Sequence, residues 1–109
     1  MFIRCAFFEG HVKSGMDAQF KSFVHERLVP LWTKFPGAEE VRVLHQTESD
    51  TAAPNYALVL AIKYPSMAAI DLALKSDVRN QSRLETQELV KMFDGRIFHT
   101  VFEAARFKV

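Results

Sequence analysis

Four histidines, one arginine in an apolar run and one cysteine are the side chains here best suited to move a proton, hold an anion or attack an electrophile. Near the C-terminus, His99, Val101 and Glu103 alternate with Phe98, Thr100 and Phe102. In an extended chain His99 and Glu103 therefore share one face. Near the N-terminus, Arg4, Ala6 and Phe8 alternate in the same way with Ile3, Cys5 and Phe7. An imidazole that titrates near neutrality, set among apolar side chains with a guanidinium and a carboxylate, has what acid–base chemistry needs. His99, Arg4 and Glu103 are thus the candidate catalytic residues, and His45, His25, Trp32 and Phe8 the candidate ligand-binding residues. The same set could instead form a buried hydrogen-bonded cluster that only fixes an interface. His11 lies in a polar stretch and reads as solvated. Cys5 lies within an apolar run and reads as an inert buried thiol rather than a nucleophile.

Other chemistries lack their motifs. The sequence has no H-x-x-x-H, H-E-x-x-H or C-x-x-C spacing for a metal, and its four glycines form no phosphate-binding loop. No G-x-S-x-G elbow occurs. No metal or cofactor is expected. The formal net charge of +1 and the absence of a basic block favour neither a nucleic acid nor an anionic membrane as partner. The single cysteine excludes an intrachain disulfide, which suits a reducing, cytoplasmic setting. No stretch approaches the length of a membrane span. At 109 residues, 49% hydrophobic and 25% charged, the sequence predicts a single globular domain over 1–109. Ten of its thirteen aromatics are Phe, more than a core of this size easily hides, so some are expected at a cavity or subunit interface.

The elements that must position these residues follow from periodicity. Phe2 to Glu9 is a compact apolar run closed by Gly10 and reads as a strand. Ser14 and Asp17 open a helix in which Phe20, Phe23, Val24, Leu28, Leu31, Trp32 and Phe35 recur at spacings of three and four. Pro30 predicts a kink or break inside it, and Pro36-Gly37 its end. Glu40 to Gln46 reads as a strand, Thr47 to Asn55 as a polar hairpin loop, and Tyr56 to Tyr64 as a central strand covered on both faces. Ser66 is a natural N-cap for a helix reaching Lys75, and Ser76-Asp77 restarts it. Leu84, Val90 and Phe93 predict a second amphipathic stretch up to Asp94-Gly95. A last strand is expected from Arg96 to about Phe107.

The order β-α-β-β-α-β specifies a ferredoxin-like α+β fold. Its four-stranded antiparallel sheet has order 4-1-3-2 and both helical regions on one face. The other face is left bare, and packing it against a second copy predicts an isologous homodimer. We place the Phe98/Phe102 face under the helices. The His99/Glu103 and Arg4 faces are then assigned to the bare side, because an arginine beneath helices would need a partner. On the second strand either His45 or Arg42 and Gln46 can face inward. His45 would meet the partner's His99 across the interface.

The sequence resembles the dimeric α+β barrel superfamily, and within it the family named for ethyl tert-butyl ether degradation (EthD-like). The likeness rests on Pro30-Leu31 followed by Phe35-Pro36-Gly37, on Ala68 to Leu74 with Ser76 and the later Met92-Phe93-Asp94-Gly95, and on length and element order. It spans nearly the whole chain. It implies a dimer and a cofactor-independent enzyme or accessory protein of catabolism acting on a small apolar or aromatic compound, or else a non-catalytic ligand-binding or structural dimer module. The family's His-x-Pro histidine aligns with Leu28, and His25 lies one helical turn earlier.

Overall fold

A computed structural model describes residues Met1–Val109. Strand β1 (Phe2–Val12) leads into helix α1 (Asp17–Phe23), a π-helical turn (Val24–Leu28) and helix α2 (Val29–Trp32). Strands β2 (Glu40–Leu44) and β3 (Tyr56–Tyr64) follow, then helices α3 (Met67–Leu74) and α4 (Asp77–Leu89), a short 3-10 turn (Val90–Met92) and strand β4 (Phe93–Glu103). The sheet is antiparallel with order β2-β3-β1-β4, which is the expected ferredoxin-like topology. No helix is long and apolar enough to cross a membrane.

Which face of the sheet meets the helices is decided by β3. Leu58, Leu60, Ile62 and Tyr64 point into the core and are buried, whereas Val59, Ala61 and Lys63 on the other face are only half-buried. The register pairs Arg4 with Ile62, Ala6 with Leu60 and Phe8 with Leu58, so Arg4, Ala6 and Phe8 lie under the helices. It also pairs Ala6 with His99 and Phe8 with Ile97, which carries His99 to the same side. The sequence-based face assignment is therefore inverted. Phe7, Phe98 and Phe102 occupy the bare face, and His99 cannot meet a partner's His45 there. The arginine under the helices needs no counter-ion because a water-accessible cleft opens around it, an alternative to pairing that strand periodicity does not reveal.

The first helical region is not broken at Pro30. Proline lacks an N–H and crowds the carbonyl four residues back. Widening the preceding turn relieves this, and the Val29 N–H reaches back five residues to the Val24 carbonyl. The helix then continues with its apolar stripe in place, burying Phe20, Val24, Leu28, Trp32 and Phe35. Each such side chain contributes about 1.5–3 kcal/mol on burial.

Two helix starts are capped as the sequence predicts. The Ser66 hydroxyl accepts from the Ala69 N–H at 3.1 Å, and Ser76 accepts from the Arg79 N–H at 3.3 Å. Helix α4 departs from expectation in its orientation. Leu84 is 64% exposed, Val90 lies at the surface, and Phe93 belongs to β4. Strand β4 begins at Phe93 and ends at Glu103, so Phe107 lies outside it. Its first residues pair with the end of β1, where Gly10 and Gly95 lie opposite each other at φ +143° and +156°. A Cβ on either would drive into the carbonyl of the facing strand, so only glycine fits there.

Candidate functional site

A cleft of about 360 Å³ lies between the helix-facing side of the sheet and α4. This volume suits a small organic ligand. Strand β1 contributes Arg4, Ala6 and Phe8, β3 contributes Leu60, Ile62 and Tyr64, and β4 contributes Ile97 and His99. Trp32 and Phe35 close it at the end of the first helical region, which the π turn keeps in register. Helix α4 supplies Arg79, Ser82, Arg83, Thr86 and Gln87. The spacing of Arg79, Ser82, Arg83 and Thr86 is i, i+3, i+4, i+7, a polar stripe that faces the sheet, and it explains why Leu84 is turned to solvent.

The cleft holds positive charge and no carboxylate. Arg4, Arg79 and Arg83 line it, Asp and Glu are absent from its walls, and none of the four ion pairs of the protein engages these arginines. Arg79 has one backbone contact, from Nη1 to the Leu74 carbonyl at 3.5 Å. The Ser82 and Thr86 hydroxyls donate back into their own helix, at 2.9 Å to the Arg79 carbonyl and 2.7 Å to the Ser82 carbonyl. Their donors are thus used internally, and the guanidiniums are the strongest donors left to a ligand.

These charges govern the titration of their neighbours. Burial and the Arg4 and Arg79 guanidiniums push the His99 pKa down to about 4, so its ring is neutral at physiological pH. The His99 side chain is nevertheless exposed to the open cleft, so solvent screens both the burial effect and the guanidiniums, and the downward direction rather than its full size is what the geometry supports. Arg4 itself is lowered by burial and by Arg79. Burial raises the Tyr64 phenol, and Arg4 opposes that rise. Cys5 lies on the other face of the sheet, where burial raises its thiol and keeps it protonated.

The sequence-derived candidates divide accordingly. His99, Arg4, Trp32 and Phe8 converge on the cleft. Glu103 shares the His99 face but lies at the exposed end of β4, outside the cleft. His25 and His45 meet each other elsewhere, with Nε2 atoms 3.3 Å apart, so one imidazole donates to the other. Burial, Lys21 and His25 lower the His45 pKa. His45 borders a second, smaller cleft of about 240 Å³ with His11, Asp17 and Lys21. Leu28 is fully buried among core side chains. Sequence reasoning missed Tyr64, Arg79, Ser82, Arg83, Thr86 and Gln87. The polar stripe on α4 was the available signal for four of these.

No protein-family model and no curated protein matches the sequence. Solved structures do match. An ethyl tert-butyl ether degradation (EthD) family protein from Bacillus halodurans superposes with a TM-score of 0.73 and 14% identity, covering 96% of this chain and 100% of that one. SnoaB, a cofactor-independent oxygenase from Streptomyces nogalater, superposes with a TM-score of 0.66 and 19% identity over 97% of this chain and 94% of its own. A dimeric protein of unknown function and ferredoxin-like fold from Bacteroides fragilis gives 0.68 and 8% identity over 94% and 95%. At these identities the likeness establishes the fold, which agrees with the EthD-like resemblance read from the sequence.

Proposed function

We propose that this protein is a cofactor-independent enzyme that removes a proton from a small, largely apolar or aromatic compound bound between sheet and α4. One observation carries the reading: a neutral imidazole faces a cleft whose only charged groups are guanidiniums. In the proposed reaction His99 accepts the proton from a carbon acid next to a carbonyl, or from a phenol. The three guanidiniums that line the cleft supply the positive field in which the enolate or phenolate oxygen forms. Phe8, Trp32, Phe35 and Ile97 hold the apolar body and exclude water, which strengthens those interactions. SnoaB, with the same fold, is a cofactor-independent oxygenase, and an electron-rich carbanion of this kind is what dioxygen would meet in such chemistry. Glu103 takes no direct part, and the His25–His45 pair is assigned no role in the reaction.

The unit is proposed to be a homodimer through its open face. There Phe7 stacks on Phe98 with ring centroids 5.1 Å apart and lies 5.7 Å from Tyr56 and 6.5 Å from Phe102. An aromatic cluster of this size on a sheet face is costly to leave in water. The dimeric protein from Bacteroides fragilis shares the fold.

Proton abstraction can be read without knowing the downstream chemistry. Phenolic ketones and 1,3-dicarbonyl aromatics incubated in D2O should exchange their acidic C–H faster with the protein than without it. His99→Gln should abolish the acceleration, and oxygen uptake would then be measured on the compounds that exchange. The opposing reading is a non-catalytic ligand-binding module, favoured by Leu28, which seals the position where the EthD-like pattern has histidine. Compounds that bind the cleft while none exchanges would establish that reading and refute the enzyme.

A further inference from the structure

The charge balance of the cleft narrows the class of ligand. A guanidinium is among the most polar groups a chain can carry, and one held in an apolar cleft is normally matched by a carboxylate. Here Arg4 from β1 and Arg79 from α4 approach the same cavity from opposite walls, and each lowers the pKa of its surroundings because nothing offsets its charge. Arg83 stands at the more exposed margin. The Ser76 cap fixes the first turn of α4, and through it the backbone of Arg79. Tyr64, the remaining titratable wall residue, stays neutral under burial. Further along β1 from Arg4, Phe8 pairs with Ile97 and makes that part of the cleft apolar, and Trp32 and Phe35 add apolar wall. Such a cavity is complementary to a molecule with one anionic end and one apolar end.

We propose that the ligand is a small aromatic carboxylate, its carboxylate held between the Arg4 and Arg79 guanidiniums and its ring against Phe8 and Ile97. This rests on the placement of the binding site in the cleft described above and deepens it by naming the substrate class. It also supplies a reason for the composition of the site. In the empty cleft His99 is a weak base, because burial first and then the Arg4 and Arg79 guanidiniums oppose its protonation. A bound carboxylate offsets the guanidinium part of that opposition and so raises the basicity of the imidazole. Binding of the correct ligand thus readies the base that acts on it.

The test uses matched ligands on the wild-type protein: 2-naphthoate, 2-naphthamide and 2-naphthalenemethanol, measured by titration calorimetry at low salt and again at about 0.5 M NaCl, where the Debye length falls toward 4 Å. The carboxylate should bind at least about tenfold more tightly than either neutral analogue, and its advantage should shrink at high salt. Arg4→Gln and Arg79→Gln should each reduce the advantage without weakening the amide. Carbon-detected titration of the His99 ring should show its pKa rising with naphthoate bound and not with naphthamide. Equal affinity of acid and amide for the wild-type protein would overturn the proposal, as would a preference that survives both substitutions together. Because the readout is binding, a carboxylate preference without any catalysed hydrogen exchange would sustain this inference while refuting the enzyme. Exchange of neutral compounds with no carboxylate preference would do the reverse.

Discussion

Removing Arg4 should raise the pKa of His99, and the structure bounds by how much. His99 titrates at about 4 against an ordinary value of 6.5, a depression of about 2.5 pH units with three causes: burial first, then Arg4, then Arg79. As the second of three causes, Arg4 accounts for less than half, so its share is at most about 1.2 pH units. In Arg4→Met, which keeps the length and apolar stem, His99 should therefore titrate above about 4 but no higher than about 5.2, still below the ordinary value. Arg4→Lys keeps a charge at the position and should leave the titration near that of the wild type. The assay is two-dimensional NMR of the histidine ring carbons over pH 3–8, with the His99 signal assigned by its absence in His99→Gln. The depression also gives stability a defined pH window. The unfolded chain takes up this proton below pH 6.5 while the folded site resists until about 4, so stability declines as pH falls through that interval and this group contributes no slope above it. A wild-type His99 that titrates at or above its ordinary value, or an unchanged pKa in Arg4→Met, would refute the reasoning about the cleft's uncompensated charge.

Three further outcomes test other parts of the structure. Phe102 is 47% exposed on the open face, so Phe102→Asp should leave the far-ultraviolet circular dichroism unchanged while shifting the sedimenting species from dimer to monomer; a wild-type monomer at micromolar concentration would remove the dimer altogether. Gly95→Ala should lower the urea midpoint by the equivalent of roughly 3 kcal/mol, because its Cβ meets the Glu9 carbonyl at a φ of +156°, and an unchanged midpoint would contradict the close pairing of β1 and β4. Leu28→His should cost about 2–5 kcal/mol by losing a fully buried side chain and burying an unpartnered imidazole, read as a fall in thermal midpoint; a neutral effect would mean that the helix can still carry the EthD-like histidine.

The strand and helix order was legible because each element carries its own period, and the two serine caps were legible because capping is local. The orientation of the sheet was not. Phe98 and Phe102 look like core residues, and in β4 alone they outweigh Ile97, His99 and Val101. What turns the strand over is its long-range register: His99 lies opposite Ala6, and Ala6 lies opposite Leu60 on the apolar side of β3. Strand periodicity grouped Arg4 and Phe8 of β1, and His99 of β4, on faces that the register then brings together in the cleft. The α4 wall was hidden because Arg79, Ser82, Arg83 and Thr86 look like a solvated helix face until the helix is docked with that face inward.

The position of the acid–base group follows from the packing of the first helix. With Leu28 at no measurable exposure, the helix turn that the EthD-like pattern uses for histidine is committed to the core, and the widened turn before Pro30 keeps it there. His25, one turn earlier, is drawn to His45 at the far edge of the sheet rather than to the cleft. The proposed chemistry would then be supplied from the sheet floor and from α4. The floor contributes a single titratable base, His99, and a phenol held neutral, Tyr64. Both lie near arginines, which together with burial disfavour protonation of His99. If the proposed carboxylate ligand binds here, it supplies the counter-charge that the two guanidiniums lack in the cleft as it stands.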